Sequence, residues 1–232
     1  MRMELRKNIM TLSVIAYVML SLFVIFGEYE KDVRLISLTK PFLIPVLAVL
    51  YFALTKKINW IYVLALVFIW IANVLFITQT QEYIFKGGVS YLVFWIFITF
   101  LVLINTSFPN RVSFVIAIIP FTFLYCCVFQ LVYENIEQGV YLFFLNGTLM
   151  VFLGGYSLAN YFIDSNKPNT YLLISVLMFT FIQFLVSIDL YYLSTKLFRP
   201  MAMLLFVTAQ FFLLKTFLSY EKMSFDRNKN RN

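Results

Sequence analysis

Long, uninterrupted apolar runs recur along the whole chain, and they constrain its fold more than any other feature. Each run is about 20 residues long, the length that a helix needs to cross the hydrocarbon core of a bilayer. Hydrophobic residues make up 62% of the sequence, and the mean hydropathy is +0.87. The strands of a membrane β-barrel would instead alternate in polarity over about 10 residues. The sequence therefore predicts an all-α, polytopic helical bundle in a membrane.

The runs predict eight transmembrane helices that form a single domain over residues 1–220, followed by a basic cytoplasmic tail over residues 221–232. The chain contains neither an internal repeat nor a linker long enough to divide it into domains. The predicted spans cover residues 9–27, 35–54, 60–77, 88–104, 112–133, 140–162, 171–194 and 200–218.

The distribution of Lys and Arg predicts the orientation of the bundle, because cytoplasmic segments carry an excess of these residues. If the N-terminus is inside, the inner segments hold eleven Lys and Arg residues and the outer segments hold five. Both termini are therefore expected in the cytoplasm, in agreement with an even number of spans. We expect the protein to reside in a bacterial inner (plasma) membrane.

Several function classes are excluded by composition. The formal charge is +7, but the cations lie at the termini and in short loops, which argues against nucleic-acid binding. The chain has no histidine, so the usual zinc and haem ligand sets and a histidine base are absent. Cys126 and Cys127 are neighbours on a helix and point about 100° apart, which disfavours a disulfide or a metal pair. The sequence therefore predicts no metal and no cofactor.

A single carboxylate stands out within the apolar runs. Asp189 lies in the stretch FIQFLVSIDLYYLSTKLF, and a charge at that depth costs roughly 2.5 kcal/mol or more unless it is paired or hydrated. Helical spacing would place Leu185, Asp189, Tyr192 and Lys196 on one face. Lys40, at a similar depth in the second span, is the expected partner of Asp189. A purely structural ion pair and a ligand or catalytic pocket both fit this pattern.

The remaining polar residues of the spans gather toward the outer leaflet. They predict a hydrated cleft that opens to the non-cytoplasmic side, although amides also join neighbouring helices by hydrogen bonds. Gly87 and Gly88 are interpreted as a loop before the fourth span. Gly155 and Ala159, four residues apart, permit close approach of helices, which favours packing inside the bundle over a dimer contact. The polar residues toward the outer side are Lys40, Asn73, Gln130, Asn146 and Asp189, with Gln210 near the middle of the eighth span.

Five motifs, in order along the chain, resemble the lysoplasmalogenase family, also called YhhN-like. TKPFLIPVLAVLYF is similar to the family's Lys-Pro opening of the second span, and IANVLFI lies where the family has a Gly-Asp pair. GGVSYLVFW parallels a Gly, aromatic, His series through Gly87, Tyr91 and Trp95. LVSIDLYYLSTKLF and VTAQFFLLKTFL resemble a Ser-Asp stretch and an Ala-Gln stretch, which include Asp189 and Gln210.

The resemblance implies hydrolysis of the vinyl-ether bond of lysoplasmalogens, with a membrane lysolipid as the bound partner. Asp189 would be catalytic. The sequence departs from the family where Asn73 replaces an aspartate and Trp95 replaces a histidine, so the expected site is degenerate. The alternative is a non-catalytic protein that binds lipid or serves as a subunit of a larger membrane complex, and a transporter is a third class. The expected substrate-binding residues are Lys40, Asn73, Gln210, Tyr91 and Trp95.

Overall fold

The structure is a computed structural model that describes the backbone of residues 2–136 and 139–229, and the side chains of residues 4–136 and 139–223. The described residues are 87% helical and contain no strand. A 3₁₀ turn, Tyr133–Asn135, precedes the sixth helix. The α-helices are α1 (Arg2–Glu30), α2 (Val33–Leu54), α3 (Trp60–Leu75), α4 (Gln81–Asn105), α5 (Arg111–Val132), α6 (Val140–Ile163), α7 (Lys167–Tyr191) and α8 (Phe198–Lys229).

Short polar side chains begin four of these helices. Asp32 accepts hydrogen bonds from the backbone N–H groups of Arg34 and Leu35, which would otherwise lack a partner at the first turn of α2. Three asparagines cap the first turns of other helices in the same way, namely Asn59 for α3, Asn110 for α5 and Asn166 for α7. These caps set the helix boundaries close to the predicted ones.

Seven of the described helices are long and apolar enough to cross a membrane. The remaining one, α3, is apolar but has only 16 residues. Large apolar side chains cover much of the outer surface, as expected where lipid chains rather than water surround a bundle. The chain is therefore an integral membrane protein built of helices. The predicted count of eight spans is one more than the seven described helices that are long enough to cross a membrane.

Seven of the described helices form a closed ring, and α5 lies outside it. Going around the ring, α1 packs on α2, α2 on α3, α3 on α4, α4 on α6, α6 on α7, α7 on α8, and α8 on α1. Helix α5 packs against α6 and α7 from the outside. The peripheral position explains why only 17% of the most apolar stretch of α5 is buried.

The two ends of the bundle differ in content. At one end, the start of α1 and the end of α8 meet the α2–α3 connection: Arg6 donates to the carbonyl oxygens of Ala53 and Thr55, and Glu221 accepts from the backbone N–H of Lys57. We call this the termini end. The opposite end, which we call the cavity end, carries the α1–α2, α3–α4, α5–α6 and α7–α8 connections. Both described chain ends thus lie on the same side of the bundle.

Glycines allow α5 and α6 to approach closely. A Cβ atom at Gly155 would lie 2.9 Å from the Cα atom of Ile118, and one at Gly154 would lie 2.4 Å from the Phe121 ring. Ala159, one turn beyond Gly155, is fully buried. The interpretation of Gly155 and Ala159 as internal packing residues is therefore confirmed.

Three helix boundaries were predicted wrongly. Helix α4 begins at Gln81, so Gly87 and Gly88 are helical and do not form a loop. A Cβ atom at Gly87 would lie 2.6 Å from the Phe76 ring, so the glycine serves the contact of α4 with the end of α3. Helix α7 ends at Tyr191, before the predicted boundary. Helix α8 continues to Lys229, so residues 221–229 of the predicted tail are helical, and residues 230–232 lie outside the described part.

We expect Gly155→Ala to lower the free energy of unfolding by about 1 to 3 kcal/mol, because the new methyl group overlaps the backbone of α5. Unfolding of the purified protein in mixed micelles by a denaturing detergent measures the change. Thr148→Ala, at an exposed position on the same helix, is the matched control and should leave the transition unchanged. An equal transition for Gly155→Ala and the control would contradict the close packing of α5 on α6.

Candidate functional site

A cavity of about 240 Å³ occupies the cavity end of the ring. Helices α1, α2, α3, α4, α6, α7 and α8 all contribute residues to its wall, as does the α3–α4 connection. The polar side chains on the wall are Glu28, Lys40, Asn73, Gln79, Gln81, Tyr91, Asn146, Gln183, Ser187, Asp189, Tyr191 and Arg199.

The first charged group in the cavity is an ion pair between α1 and α2. Lys40 Nζ donates to Glu28 Oε1 at 2.9 Å, and both side chains are more than nine-tenths buried. Glu28 lies in the last turn of α1 and Lys40 in the second turn of α2, so a short connection brings them together. Burial of both charges is tolerable because each neutralises the other.

The second charged group joins α7 to α8. Arg199 Nε donates to Asp189 Oδ2 at 2.6 Å, and the Asp189 carboxylate is only 2% exposed. Its other oxygen, Oδ1, accepts from the Ser194 hydroxyl at 3.0 Å and from the Thr195 backbone N–H at 3.3 Å. Donors therefore approach both oxygens, an arrangement that suits an ionised carboxylate.

The predicted Lys40–Asp189 ion pair is wrong. Both residues line the cavity, but each is paired within its own helical hairpin, Lys40 with Glu28 and Asp189 with Arg199. The predicted stripe from Asp189 to Lys196 also fails, because α7 ends at Tyr191 and Lys196 lies over the Tyr29 ring, 4.2 Å from its centroid.

Side chains of α3 contact backbone carbonyls of α2 near its prolines. Pro45 has no N–H to offer the carbonyl of Pro41, and the Trp70 indole N–H donates to that oxygen instead at 2.8 Å. Asn73 Nδ2 approaches the carbonyl oxygen of Lys40 at 3.5 Å. Asn73 thus lies in the cavity wall directly beside the residue that carries the buried ammonium.

Two amide oxygens on the cavity wall have no hydrogen-bond partner among the described residues. These are Asn146 Oδ1 and Gln183 Oε1, both buried. The amide nitrogen of Asn146, by contrast, donates to the carbonyls of Leu142 and Gly88, at 3.0 and 3.3 Å. Buried polar atoms are nearly always satisfied, so these two acceptors mark a place suited to a hydrogen-bond donor.

The rest of the wall is apolar. Two apolar wall residues, Phe85 and Val186, are exposed on the flank of the bundle. Two polar wall residues, Gln79 and Gln81, are exposed at the cavity end. The cavity therefore combines a charged, hydrogen-bonding end with a hydrophobic side. The apolar wall includes Ile69, Phe76, Ile84, Leu142, Phe143, Ile182, Met203 and Phe206.

Three further predicted site residues differ in their relation to the cavity. Tyr91 lies on its wall. Trp95 is fully buried behind that wall. Its ring centroid lies 5.8 Å from that of Tyr91 and 4.9 Å from that of Phe179. Gln210 is also fully buried, and neither atom of its amide has a partner among the described residues. The substrate-binding roles of Trp95 and Gln210 stay predictions.

Glu28 and Arg199 are the residues that the sequence reasoning missed. Glu28 lies just beyond the first predicted span, and Arg199 lies between the seventh and eighth predicted spans, so neither was expected inside the bundle. The available signal was proximity along the chain: Glu28 precedes Lys40 by 12 residues, and Arg199 follows Asp189 by 10. A cation on the adjacent helix, across one short connection, can reach a buried carboxylate.

Metal ligation finds no support in the part of the chain that the structure describes. No group of three His, Cys, Asp or Glu side chains there could hold a metal ion. Cys126 and Cys127 are free thiols on the exposed surface of α5.

Fold and cavity together define an integral membrane protein of the helical class with an amphipathic internal site. The model of the YhhN family matches residues 35–217, most of the chain. The chain therefore belongs to the YhhN family, which includes lysoplasmalogenases. No curated protein and no solved structure matches the chain.

We expect Arg199→Met to destabilise the protein by about 1 to 3 kcal/mol, because it leaves the buried Asp189 carboxylate without its cation. The value lies below that for a fully buried pair because the Arg199 side chain is a quarter exposed, and water would take its place. Thermal unfolding in detergent measures the loss. The matched control is Lys86→Met, which removes the cation of the exposed Glu82–Lys86 pair and should have no measurable effect. Equal stabilities for the two variants would contradict the importance of the buried pair.

Proposed function

We propose that the protein hydrolyses the vinyl-ether bond of a lysoplasmalogen, a single-chain lysophospholipid. The observation that carries this proposal is the amphipathic cavity, which offers a hydrophobic wall for one chain and a charged end for a head group. The two carboxylates and two cations at that end sum to no net charge. A neutral site suits a zwitterionic phospholipid head group better than a bare anion. Membership in the YhhN family agrees with this substrate class.

The reaction needs a proton donor and a group that activates water. A proton adds to the second carbon of the alkenyl chain, and the first carbon becomes an oxocarbenium centre. Water then adds to that centre and loses one proton to a base. The resulting hemiacetal transfers its hydroxyl proton to the ether oxygen as that C–O bond breaks, which gives an aldehyde and a glycerophosphoalcohol. Asp189, held as an acceptor by three donors, is the base of this scheme.

The substrate-binding roles follow the position of each residue relative to the cavity. Lys40 and Asn73 lie at the charged end, where they position the head group and the glycerol hydroxyl. Tyr91 lies on the same wall. Trp95 packs against Tyr91 and holds its ring in place. Gln210 is assigned to this set by the family resemblance alone.

The placement in the membrane is also part of the proposal. Helix α3 spans about 24 Å at 1.5 Å per residue, and the turn that follows it would complete an eighth crossing. With eight crossings and the observed excess of cations, both termini lie in the cytoplasm. The cavity end then faces the non-cytoplasmic leaflet of a bacterial inner membrane, and lysolipid enters from that leaflet.

Asp189→Asn tests the assignment of the base. We expect it to lower the rate of aldehyde release by about 100-fold or more, the usual contribution of a general base. The measurement follows aldehyde release from a vinyl-ether lysophospholipid added to purified protein in detergent. Asp164→Asn, the same change in the exposed α6–α7 connection, is the matched control and should retain the full rate. Equal rates for the wild type and Asp189→Asn would reject Asp189 as the base, and a wild type that releases no aldehyde would reject the hydrolase proposal.

A second candidate is a non-catalytic protein that binds lysolipid in the same cavity or serves as a subunit of a membrane complex. The observation that favours it is Asn73, whose amide takes the place of a family carboxylate and contacts the α2 backbone. This candidate expects lysolipid to co-purify with the protein, as identified by mass spectrometry, without turnover. Retention of the lipid by wild-type protein together with aldehyde release would favour the enzyme.

A further inference from the structure

A second carboxylate reaches the cavity from a part of the chain that lies outside the family match. Glu28 is in α1, whereas the match begins at residue 35. Its side chain is 7% exposed and lines the same cavity as Asp189. Glu28 and Asp189 are the carboxyl groups on the described part of the cavity wall.

The stability of the bundle does not by itself explain the Glu28–Lys40 pair. Replacing a buried ion pair with apolar side chains of similar volume is often neutral or stabilising, because two charges no longer lose their hydration. Ionisable groups inside membrane bundles are expensive and are usually found at working sites. The position of this pair on the wall of the cavity fits that rule.

We infer that Glu28 is the proton donor of the hydrolysis and compensates for the carboxylate that Asn73 lacks; this inference rests on the proposed function. Asp189 is bound by three donors and is placed to accept a proton. The Glu28–Lys40 couple instead holds one transferable proton between two heavy atoms 2.9 Å apart. The acid and the base of the reaction thereby come from different hairpins, α1–α2 and α7–α8.

The protons balance over one cycle. Glu28 receives the proton of the Lys40 ammonium and delivers it to the second alkenyl carbon, where the π electrons form the new C–H bond. Lys40 is then neutral and Glu28 is ionised. Asp189 takes one proton from the water that adds to the first carbon, and that proton returns to the Glu28–Lys40 couple. The second proton of the water leaves on the glycerophosphoalcohol.

Glu28→Gln tests the inference, because it keeps the shape of the side chain and removes the acid. We expect kcat for aldehyde release to fall about 100-fold or more, with KM and the affinity for a saturated alkyl-ether lysophospholipid changed by less than about threefold. Glu82→Gln is the matched control: it alters a Glu–Lys pair in the first turns of α4, outside the cavity, and should retain the full rate. Glu28→Asp, which keeps an acid, should recover about tenfold over Glu28→Gln.

The affinity for the saturated lysophospholipid separates catalysis from charge neutralisation. If Glu28 only neutralises Lys40, Glu28→Gln leaves a buried cation among the head-group contacts, and the affinity falls together with the rate. If Glu28 delivers the proton, the folded variant loses kcat while the affinity stays within about threefold of wild type, with folding checked by size-exclusion chromatography and thermal unfolding. A loss of affinity in proportion to the rate, or a Glu28→Gln rate within about threefold of wild type, would overturn the inference and leave the hydrolase proposal standing. An inactive wild-type protein would reject both.

Discussion

The need to neutralise charge inside an apolar bundle governs the arrangement of this protein. Two carboxylates and two cations are held at one end of a ring of helices, and each carboxylate meets its cation across a single helical connection. Pairing within a hairpin closes a loop of about a dozen residues or fewer, which loses less chain entropy than pairing between distant spans. The contact of α1 with α8 then brings the two hairpins side by side around one cavity. A charged site thus results from two local pairings and one helix contact.

The helix runs could be read from the sequence because the membrane permits so few alternatives. Backbone groups in lipid must be paired within the segment, so an apolar run of sufficient length is a helix, and polar caps such as Asp32 and Asn59 begin it. The start of α4 was misjudged for a physical reason. Gly87 and Gly88 follow a polar stretch and look like a loop, whereas Gly87 is needed to admit the ring of Phe76. That requirement exists only in the folded bundle.

Depth in the membrane predicted part of the cavity wall, but it could not identify the ion-pair partners. Lys40, Asn73, Asn146 and Asp189 were expected toward the same leaflet and line the cavity, whereas Gln130 and Gln210 do not. The error was to seek the partner of Asp189 in a distant span, although Arg199 lies only 10 residues further on, at the start of α8. Glu28 was not predicted as a site residue because a carboxylate at the end of a span is usually solvated. Only the packing of α1 against α2 shows that its side chain is enclosed. Burial, rather than residue type, distinguishes an enclosed acid such as Glu28 from a surface one.

The neighbouring backbone suits an amide at position 73 better than a carboxylate. Pro45 leaves the Pro41 carbonyl without its helical N–H donor, and the Trp70 indole donates to that oxygen. One turn further along α3, the Asn73 amide nitrogen lies 3.5 Å from the Lys40 carbonyl oxygen. An ionised aspartate at position 73 has no hydrogen to donate and would set a third negative charge beside the Glu28–Lys40 pair. The site therefore accommodates one carboxylate on each of two hairpins, and the amide at position 73 keeps the cavity electrically neutral while it supports α2. On this reasoning, the amide of Asn73 in α3 and the carboxylate of Glu28 in α1 are two parts of one charge balance.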